Sequence, residues 1–341
     1  MKLKKCLSYD DVLLVPQYSN IKSRKEVLIG NNLQDDLFFE MPIISSPMDT
    51  VTGVAMSEAM SRAGGFGVLH RYNSINYQCE LVKLLPRETF KAAAVGITGD
   101  FFERAQALVE AGARVLCLDV AHGHHSMMRA AIHQIKKDLS VHVMAGNIAT
   151  REAFDDLASW GADSIRCNIG GGSICSTRTQ TGHGLPGLQT ILDCSMSDYA
   201  KSVRIIADGG IKNSGDIVKA LAAGADFIMA GSLLAGTIET PGEVHRRTDG
   251  TRYKTYRGMA SKDAQQNWRS RTGSIEGVST VVPFKGPVGD VLEDLKVGIR
   301  SGFSYSGARN IVELQSKAVF VTQTPAGQIE STAHILRGRD R

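Results

Sequence analysis

The chain has 341 residues, of which 43% are hydrophobic and 22% are charged, and its formal net charge is +4. That composition is ordinary for a globular protein with a sizeable core. The mild positive charge suits a small anionic ligand and falls short of the basic footprint of a nucleic-acid-binding protein.

The six cysteines form no CxxC pair and show no metal-ligand spacing, a usage typical of a reducing compartment. Cys117 and Cys167 lie in apolar runs, so we expect buried thiols there. The first residues, "MKLKKCLSYDD", contain no apolar core of a signal peptide, and no stretch is long enough to cross a membrane. We therefore expect a cytoplasmic protein without membrane partners.

Eight continuous apolar runs, each followed by a helical pattern, are the candidate strands. Continuous runs indicate parallel strands covered on both sides, whereas alternation would indicate one wet face. Eight of them predict one domain over residues 1–341, a closed (β/α)8 TIM barrel. In chain order the runs span 41–48, 66–70, 91–97, 114–123, 141–147, 164–172, 203–210 and 226–232.

A weak internal repeat supports the barrel. In "EAGARVLCLD", "SWGADSIRCN" and "AAGADFIMAG", a helix ends, a glycine turns the chain and a buried strand begins. The glycines are Gly112, Gly161 and Gly224, which we expect at the C′ position. Polar and glycine residues concentrate at the carboxyl ends of the runs, the face where barrel enzymes carry their active sites.

After the eighth run comes a long segment, about residues 237–286, with little apolar periodicity. Such a segment is too long for a simple connection, so we predict a mobile active-site flap. No domain is inserted after the second strand.

Glycine-rich turns after the late strands predict a phosphate site. Main-chain N–H groups of such turns bind phosphate in many barrels. A carboxylate beside them, Asp208, is placed to accept hydrogen bonds from ribose hydroxyls. Together they indicate a nucleoside monophosphate or a similar sugar phosphate. The residues concerned are Ser173, Asp208, Gly209, Gly210, Gly231 and Ser232.

The loop "GGGSICSTRTQTG" after the sixth strand carries Cys175 among glycines and hydroxyl residues. Main-chain N–H groups and the nearby guanidinium of Arg178 would both favour its thiolate. We therefore predict a nucleophile that attacks an electron-poor ring carbon of a bound base.

Taken together, "GGGSICSTRTQTG", the segment from "IIADGGIKNSGD" to "GTIETPGE", and "YRGMAS" resemble the family of IMP dehydrogenase and GMP reductase. "LSYDDVLLVP" and "ISSPMDTVT" near the N-terminus resemble it too, so the resemblance covers nearly the whole chain. It implies a TIM barrel, a homotetramer, a nicotinamide cofactor and a covalent thioimidate between Cys175 and purine C2.

Within the family, the flap "YRGMASKDAQQNWRSRTGSIEGVSTVVPFKG" is short and lacks the Arg-Tyr dyad of the dehydrogenase; Trp268-Arg269 comes nearest to it. The resemblance to the reductase branch implies NADPH-dependent reductive deamination of GMP to IMP. It assigns Cys175 as nucleophile and makes Thr177 and Glu276 the pair that assists loss of ammonia.

The resemblance also implies weaker assignments. Further substrate contacts would come from Gly258, Met259, Ala260 and Gly277. Cofactor contacts would come from Arg71, Asp119, Val120 and Ala121 at the nicotinamide end, and from Ser23, Arg24, Tyr305, Ser306, Gly307 and Ala308 of a neighbouring subunit on the adenosine side. Carbonyls of Gly170, Gly172 and Cys175, with Arg178, would form a K⁺ site.

Other functions remain open at this point. "SSPMDTVT" resembles the dehydrogenase more than the reductase, which leaves an IMP dehydrogenase without regulatory domains as the main alternative. A purine-nucleotide binder without turnover is a second. A flavin-dependent barrel is a third, although it does not explain the cysteine loop.

Overall fold

The computed structural model describes residues 3–268 and 273–331. The strands of this part, in chain order, are β1 (Val12–Leu14), β2 (Asn31–Gln34), β3 (Leu37–Phe39), β4 (Ile43–Ser45), β5 (Phe66–Leu69), β6 (Ala92–Val95), β7 (Val115–Asp119), β8 (His142–Ile148), β9 (Ser164–Cys167), β10 (Arg204–Asp208), β11 (Phe227–Ala230), β12 (His245–Arg246), β13 (Arg252–Arg257), β14 (Ser279–Pro283) and β15 (Phe320–Thr322).

The helices of the same part are α1 (Val54–Arg62), α2 (Ile75–Leu84), α3 (Phe101–Glu110), α4 (Ser126–Asp138), α5 (Arg151–Ser159), α6 (Thr177–Thr181), α7 (Gly187–Ser195), α8 (Ser214–Ala222), α9 (Lys262–Trp268), α10 (Val288–Tyr305), α11 (Ile311–Lys317) and α12 (Pro325–Glu330). Short 3-10 turns lie at Tyr9–Asp11, Arg24–Glu26 and Asp198–Lys201. None of these helices is long and apolar enough to cross a membrane.

Strands β4 to β11 pair in parallel, each with the next, and β11 pairs back with β4, so the barrel is closed. All eight arise from the predicted runs, and the predicted (β/α)8 barrel is confirmed. The runs are continuous because each strand is buried on both faces. One side chain, such as Phe66 or Cys117, points into the barrel, and the next, such as Leu118, packs under the helices. Cys117 and Cys167 are buried, as predicted.

The repeated glycine is also confirmed. Gly112, Gly161 and Gly224 stand two residues after α3, α5 and α8, with φ of 106°, 107° and 112°. A side chain at this φ would be strained, so glycine ends each helix cleanly before the next strand.

The hairpin β2–β3 closes the amino end of the barrel. Leu33, Leu37 and Phe39 join the interior core, and the ring of Phe39 packs 4.6 Å from that of Phe66. At the same end Asn31 Nδ2 donates to Asp226 Oδ1 at 3.1 Å, and Ile205 N–H donates to Oδ2 at 2.8 Å.

Burial raises the pKa of Asp226 to about 6, against the hydrogen bonds from Ile205 and Asn31 and the charge of Arg204. The folded state therefore keeps a proton that the unfolded state loses near pH 4. The stability that the folded state gains by binding this proton is present below pH 4 and is lost as the pH rises through 6. We compare the free energy of unfolding of the wild type with that of Asp226→Asn. We expect the difference between the two to change by at most about 3 kcal/mol between pH 4 and pH 7.

Urea unfolding at pH 4, 5, 6 and 7 measures this difference. Asp36→Asn, at an exposed carboxylate on the same hairpin, is the control for loss of a carboxylate that is not buried. A profile for Asp226→Asn that matches the control would contradict the raised pKa.

The segment after β11 is more regular than its composition predicts. It contains the antiparallel sheet β12–β13–β14 and the helix α9. Strands β12 and β13 are mostly polar, and main-chain hydrogen bonds join β13 to β14. Lys254 of β13 is 1% exposed, and its ammonium donates to the carbonyls of Thr237, Ile238 and Thr240 at 3.2, 3.3 and 2.5 Å. The low apolar periodicity of this flap therefore did not reveal its sheet and helix.

Candidate active site

A cavity of about 440 Å³ opens at the carboxyl end of the barrel, between the strand ends and the flap. Its size is in the range of small-molecule sites. Most of the predicted site residues line it: Arg71, Asp119, Val120, Ala121, Gly170, Gly172, Ser173, Cys175, Thr177, Asp208, Gly209, Gly210, Gly231, Ser232, Gly258, Met259, Ala260, Glu276 and Gly277.

The cysteine loop is held against the flap by main-chain pairing. Cys175 forms an isolated antiparallel bridge with Gly277. Ser176 N–H donates to the carbonyl of Glu276 at 2.9 Å, and Val278 N–H donates to the carbonyl of Ile174 at 3.0 Å. A tight turn, with Cys175 N–H donating to the Gly172 carbonyl at 3.1 Å, presents the thiol to the cavity. Loop and flap therefore form one unit.

Three side chains of this unit make a continuous hydrogen-bonded chain. The thiol of Cys175 donates to Thr177 Oγ1 at 3.1 Å, and that hydroxyl donates to Glu276 Oε2 at 2.9 Å. Thr177 is 9% exposed, while Cys175 is open to the cavity. A proton can pass along this chain between the thiol, or a group bound at it, and the carboxylate.

The phosphate side of the cavity is built from glycine turns. Gly209 and Gly210 have φ of 84° and 77°, which brings the turn after β10 against the cysteine loop; a Cβ on Gly210 would lie 3.3 Å from the carbonyl of Gly171. Within the described chain, no main-chain carbonyl accepts from the N–H groups of Gly210 or Ser232. Those donors remain available for an anion.

A tyrosine completes this side. Tyr256 at the end of β13 is 4% exposed, and its hydroxyl is hydrogen-bonded to Ser173. Burial raises the pKa of Tyr256, although the bond to Ser173 opposes this, so the phenol stays protonated. A Cβ on Gly231 would come within 2.9 Å of the hydroxyl, which explains the glycine there. The phenol can therefore donate to a bound phosphate.

Alternating charges cross the mouth of the barrel. Arg166, 7% exposed, donates through Nε and Nη2 to Asp208 Oδ2 at 3.0 and 2.8 Å, and through Nη1 to Asp119 Oδ1 at 2.7 Å. Arg71 Nε lies 3.5 Å from Asp119 Oδ2. Asn147 Nδ2 also donates to Asp208 Oδ2, at 2.8 Å. Asp208 is thus held through one oxygen, and its other oxygen can accept from ribose hydroxyls.

Burial by itself raises the pKa of Asp119, but the charges of Arg166 and Arg71 outweigh it and hold that pKa below its usual value. Asp119 therefore stays ionised at neutral pH. Its stabilising contribution is present above about pH 4 and is lost as pH falls through the lowered folded pKa.

Replacing Arg166 by Met should leave Asp208 without a cation and Asp119 with Arg71 alone, at 3.5 Å. We expect the free energy of unfolding at pH 7 to fall by about 3–5 kcal/mol, since one buried charge is then uncompensated and the other is only partly compensated. The deficit should shrink as the pH falls through the lowered pKa of Asp119, because the wild type then loses the stabilisation that comes from this ionised carboxylate. Arg62→Met removes an exposed pair with Glu58 and should cost less than about 1 kcal/mol. Urea unfolding measures both, and equal small losses would contradict the assignment.

The flap helix α9 is fixed to the turn after β4. Asp49, 8% exposed, accepts from the indole Nε1 of Trp268 at 3.0 Å and from Arg257 Nη2 at 2.5 Å. Trp268 therefore serves to attach α9. Its neighbour Arg269 lies outside the described residues.

Comparisons with known proteins cover nearly the whole chain. The family model "IMP dehydrogenase / GMP reductase domain" matches residues 6–334.

The chain belongs to the IMP dehydrogenase / GMP reductase family. The predicted resemblance is confirmed, and with it the oxidoreductase class and the use of a nicotinamide cofactor.

Relatives in the IMP dehydrogenase / GMP reductase family carry both names. The chain is 33% identical to inosine-5'-monophosphate dehydrogenase of Nitrosopumilus maritimus, with 98% of this chain and 99% of the relative covered. It is 32% identical to GMP reductase of Leishmania major, with 96% of each covered. The crystal structure of a cysteine-to-alanine variant of GMP reductase from Trypanosoma brucei, in complex with guanosine 5'-monophosphate, superimposes with a TM-score of 0.92. It is 32% identical and covers 97% of this chain and 98% of its own.

Some residues predicted from the family resemblance lie elsewhere. Ser23, Arg24 and Tyr305 to Ala308 do not line the cavity; the segment before Ser23 runs along the end of α10, where Gln17 N–H donates to the Tyr305 carbonyl at 2.8 Å. Tyr305 is exposed, whereas Ser306 and Ala308 are buried at 3% and 0%. A single chain does not bring these residues to the cysteine.

The guanidinium of Arg178 bonds to main-chain carbonyls and not to the thiol of Cys175. Its Nη2 donates to the carbonyls of Ile169 and Leu185, at 3.4 and 2.5 Å. The helix α6 begins at Thr177, so the next side chain points to a different face. Thr177, not Arg178, is the partner of Cys175.

Asn147, Arg166 and Tyr256 also line the cavity, and the sequence assigned no role to them. The arginine had a readable signal, because a charge inside the buried run "SIRCNI" must be paired. The tyrosine is the first residue of "YRGMAS", but a single Tyr in a sequence does not indicate which residue its hydroxyl will contact.

Proposed function

We propose that this protein is an NADPH-dependent GMP reductase, catalysing GMP + NADPH + 2H⁺ → IMP + NH₄⁺ + NADP⁺. The observation that carries the proposal is the hydrogen-bonded chain from Cys175 through Thr177 to Glu276. Loss of an amino group requires a proton on its nitrogen. One end of this hydrogen-bonded series of side chains is the thiol, where the purine C2 would bind.

In the proposed reaction the phosphate lies on the N–H groups of Gly210 and Ser232 and on the hydroxyl of Tyr256. Asp208 accepts from the ribose. Both contacts fix the base so that C2 faces Cys175.

The Cys175 thiolate then adds to C2 after its proton passes to Thr177 and Glu276. The same relay returns a proton to the 2-amino group. The C2–N bond then breaks, ammonia departs, and a thioimidate between C2 and Cys175 remains. When bound, NADPH supplies a hydride to C2. The carbon–sulfur bond breaks, and Cys175 is released as the thiolate.

The cavity suits a nicotinamide beside the base. Asp119, Val120 and Ala121 line the same cavity as Cys175, and Arg71 lies against Asp119. Asp119 is ionised and fixed by two guanidinium groups, so it can accept hydrogen bonds from the nicotinamide ribose or carboxamide. The adenosine contacts of Ser23, Arg24 and Tyr305 to Ala308 would require a neighbouring subunit, as in the homotetramer implied by the resemblance.

The proposed K⁺ site is less well supported. The Gly172 carbonyl already accepts from Cys175 N–H, and the guanidinium of Arg178 lies beside Gly170, where a Cβ would meet Arg178 Cγ at 2.5 Å. The guanidinium of Arg178 would repel a bound K⁺, and few carbonyl oxygens of these residues are free to bind it. These residues alone therefore do not fit K⁺, and no step of the reaction uses it.

The competing reaction is oxidation of IMP to XMP with NAD⁺, which the name of the Nitrosopumilus relative favours. It needs a group that activates water. The flap has no Arg-Tyr dipeptide between Tyr256 and Gly286, and Trp268, the residue nearest to that role, is bonded to Asp49. Both facts support the reductase.

An absorbance assay at the nicotinamide band tests the proposal. Purified protein with GMP and NADPH should lose absorbance and release one ammonia for each cofactor oxidised. NADH in place of NADPH tests the cofactor. If IMP with NAD⁺ gains absorbance and yields XMP, the protein is a dehydrogenase. Nucleotide binding without either reaction would leave a non-catalytic binder, and a yellow protein would indicate a flavin.

A further inference from the structure

Asn168 has an unusual main-chain conformation at the start of the cysteine loop. It follows β9 directly, is 3% exposed, and has φ of 150°. In the described residues it is the one non-glycine with positive φ. That region is occupied almost only by glycine, and a side chain there is strained. Strain of this kind persists where surrounding contacts impose it, and it concentrates at functional sites.

The contacts of Asn168 explain what imposes the strain. Its N–H donates to the Ile148 carbonyl at 2.8 Å, and its carbonyl accepts from Asn147 Nδ2 at 3.0 Å. Its own Nδ2 donates to the Gly209 carbonyl at 3.2 Å. The side chain therefore ties the turn that carries Asp208 to the base of the cysteine loop.

The other face of the amide presses on the loop itself. A Cβ built on Gly171 would overlap Asn168 Nδ2 and lie 2.6 Å from Oδ1 and 2.7 Å from Cγ. Gly171 is thus a glycine because the amide of Asn168 occupies the space beside it. In the described structure Asn168 Oδ1 is buried without a hydrogen-bond partner, so packing, not full hydrogen bonding, holds the amide there.

We propose that Asn168 is a positioning residue, a wedge that fixes Gly171 and thereby the direction in which Cys175 presents its sulfur. The proposal rests on the proposed function for what the sulfur attacks. Glycine at 168 would adopt the same φ without strain, so the side chain serves the loop and not the fold of the strand. The wedge joins the ribose-binding turn to the loop that carries the nucleophile. The separation between that turn and that loop sets the distance from purine C2 to the sulfur of Cys175.

Asn168→Gly separates this role from a structural one. We expect unfolding by urea to be unchanged or to need more denaturant, because strain is relieved while one hydrogen bond is lost. We expect kcat to fall about 10- to 100-fold, the loss that follows a shift of about 1 Å at a reacting atom. The KM for GMP should change less than threefold. Asn168→Ser, which is too short to reach Gly171, should lose activity similarly and serves if the glycine variant does not fold.

A double-mutant cycle tests the contact. Gly171→Ala alone should lose activity because its methyl group collides with the amide. In the Asn168→Gly background the methyl has room, so the same change should cost at least tenfold less in kcat. Gly289→Ala, at a position where a Cβ meets nothing within 4 Å, is the control and should be silent. Additive losses, or full activity in Asn168→Gly, would overturn the proposal.

A readout that needs no turnover keeps the two proposals apart. The rate at which iodoacetamide alkylates Cys175 in the free protein reports the presentation of the thiol, and it should change at least threefold in Asn168→Gly and be restored toward wild type in the double variant. If the wild type fails to oxidise NADPH but this pattern holds, the proposed function fails and the wedge stands. If the wild type turns over GMP and alkylation is identical in all variants, the wedge fails.

Discussion

Cys175→Ala should abolish the oxidation of NADPH by GMP, with a loss of about 10⁴-fold or more, the scale seen when a covalent nucleophile is removed. Cys175 is the one cysteine among the residues described as lining the cavity. GMP should still bind with an affinity within about tenfold of wild type, because the phosphate and ribose contacts come from Gly210, Ser232 and Asp208.

Stopped-flow absorbance and calorimetric titration with GMP measure these two effects separately. Cys6→Ala removes a thiol near the N-terminus and should keep full activity. Turnover by Cys175→Ala at more than a hundredth of the wild-type rate would contradict covalent catalysis. Loss of GMP binding together with activity would indicate a collapsed loop instead.

Glu276→Gln should lower kcat by about 10²- to 10⁴-fold, the range of a positioned acid or base. The amide can still accept from Thr177 Oγ1, but it cannot take up the proton that the relay must move. Loss of ammonia should suffer more than hydride transfer, so the thioimidate should fail to form or form slowly. In the reverse direction, with IMP and NADP⁺, no amino group leaves C2, so hydride transfer should fall by less than the release of ammonia does in the forward direction.

Thr177→Val should have a similar effect, and the double variant should be little worse than either single one, because both act in one relay. Glu243→Gln, an exposed carboxylate in the same long segment, is the matched control and should be silent. Equal losses in ammonia release and hydride transfer would contradict the role of Glu276. Additive losses in the double variant would show that the two residues act separately.

The barrel could be predicted because its strands are buried on both faces, so each is a continuous apolar run, and because Gly112, Gly161 and Gly224 mark the same junction three times. The site could be predicted where local sequence carries the chemistry. Glycine turns with Asp208, and a cysteine among glycines, are recognisable without a partner.

The rest depends on contacts between distant parts of the chain. The bond from Thr177 to Glu276 spans 99 positions, and its geometry follows from how the flap pairs with the loop. The flap sheet was missed because hydrogen bonds and a buried lysine hold it. Neither produces a periodic pattern of hydrophobic residues in the sequence. The strain at Asn168 is a property of the fold, since nothing in "RCNIGGG" distinguishes a strained asparagine from an ordinary one.

The most direct measurement is mass spectrometry of protein quenched with acid during turnover of GMP and NADPH. The account predicts that the peptide carrying Cys175 gains the mass of GMP less ammonia, and that the gain disappears when substrate is exhausted. An unmodified peptide at all times during active turnover, or an adduct on a different residue, would contradict it.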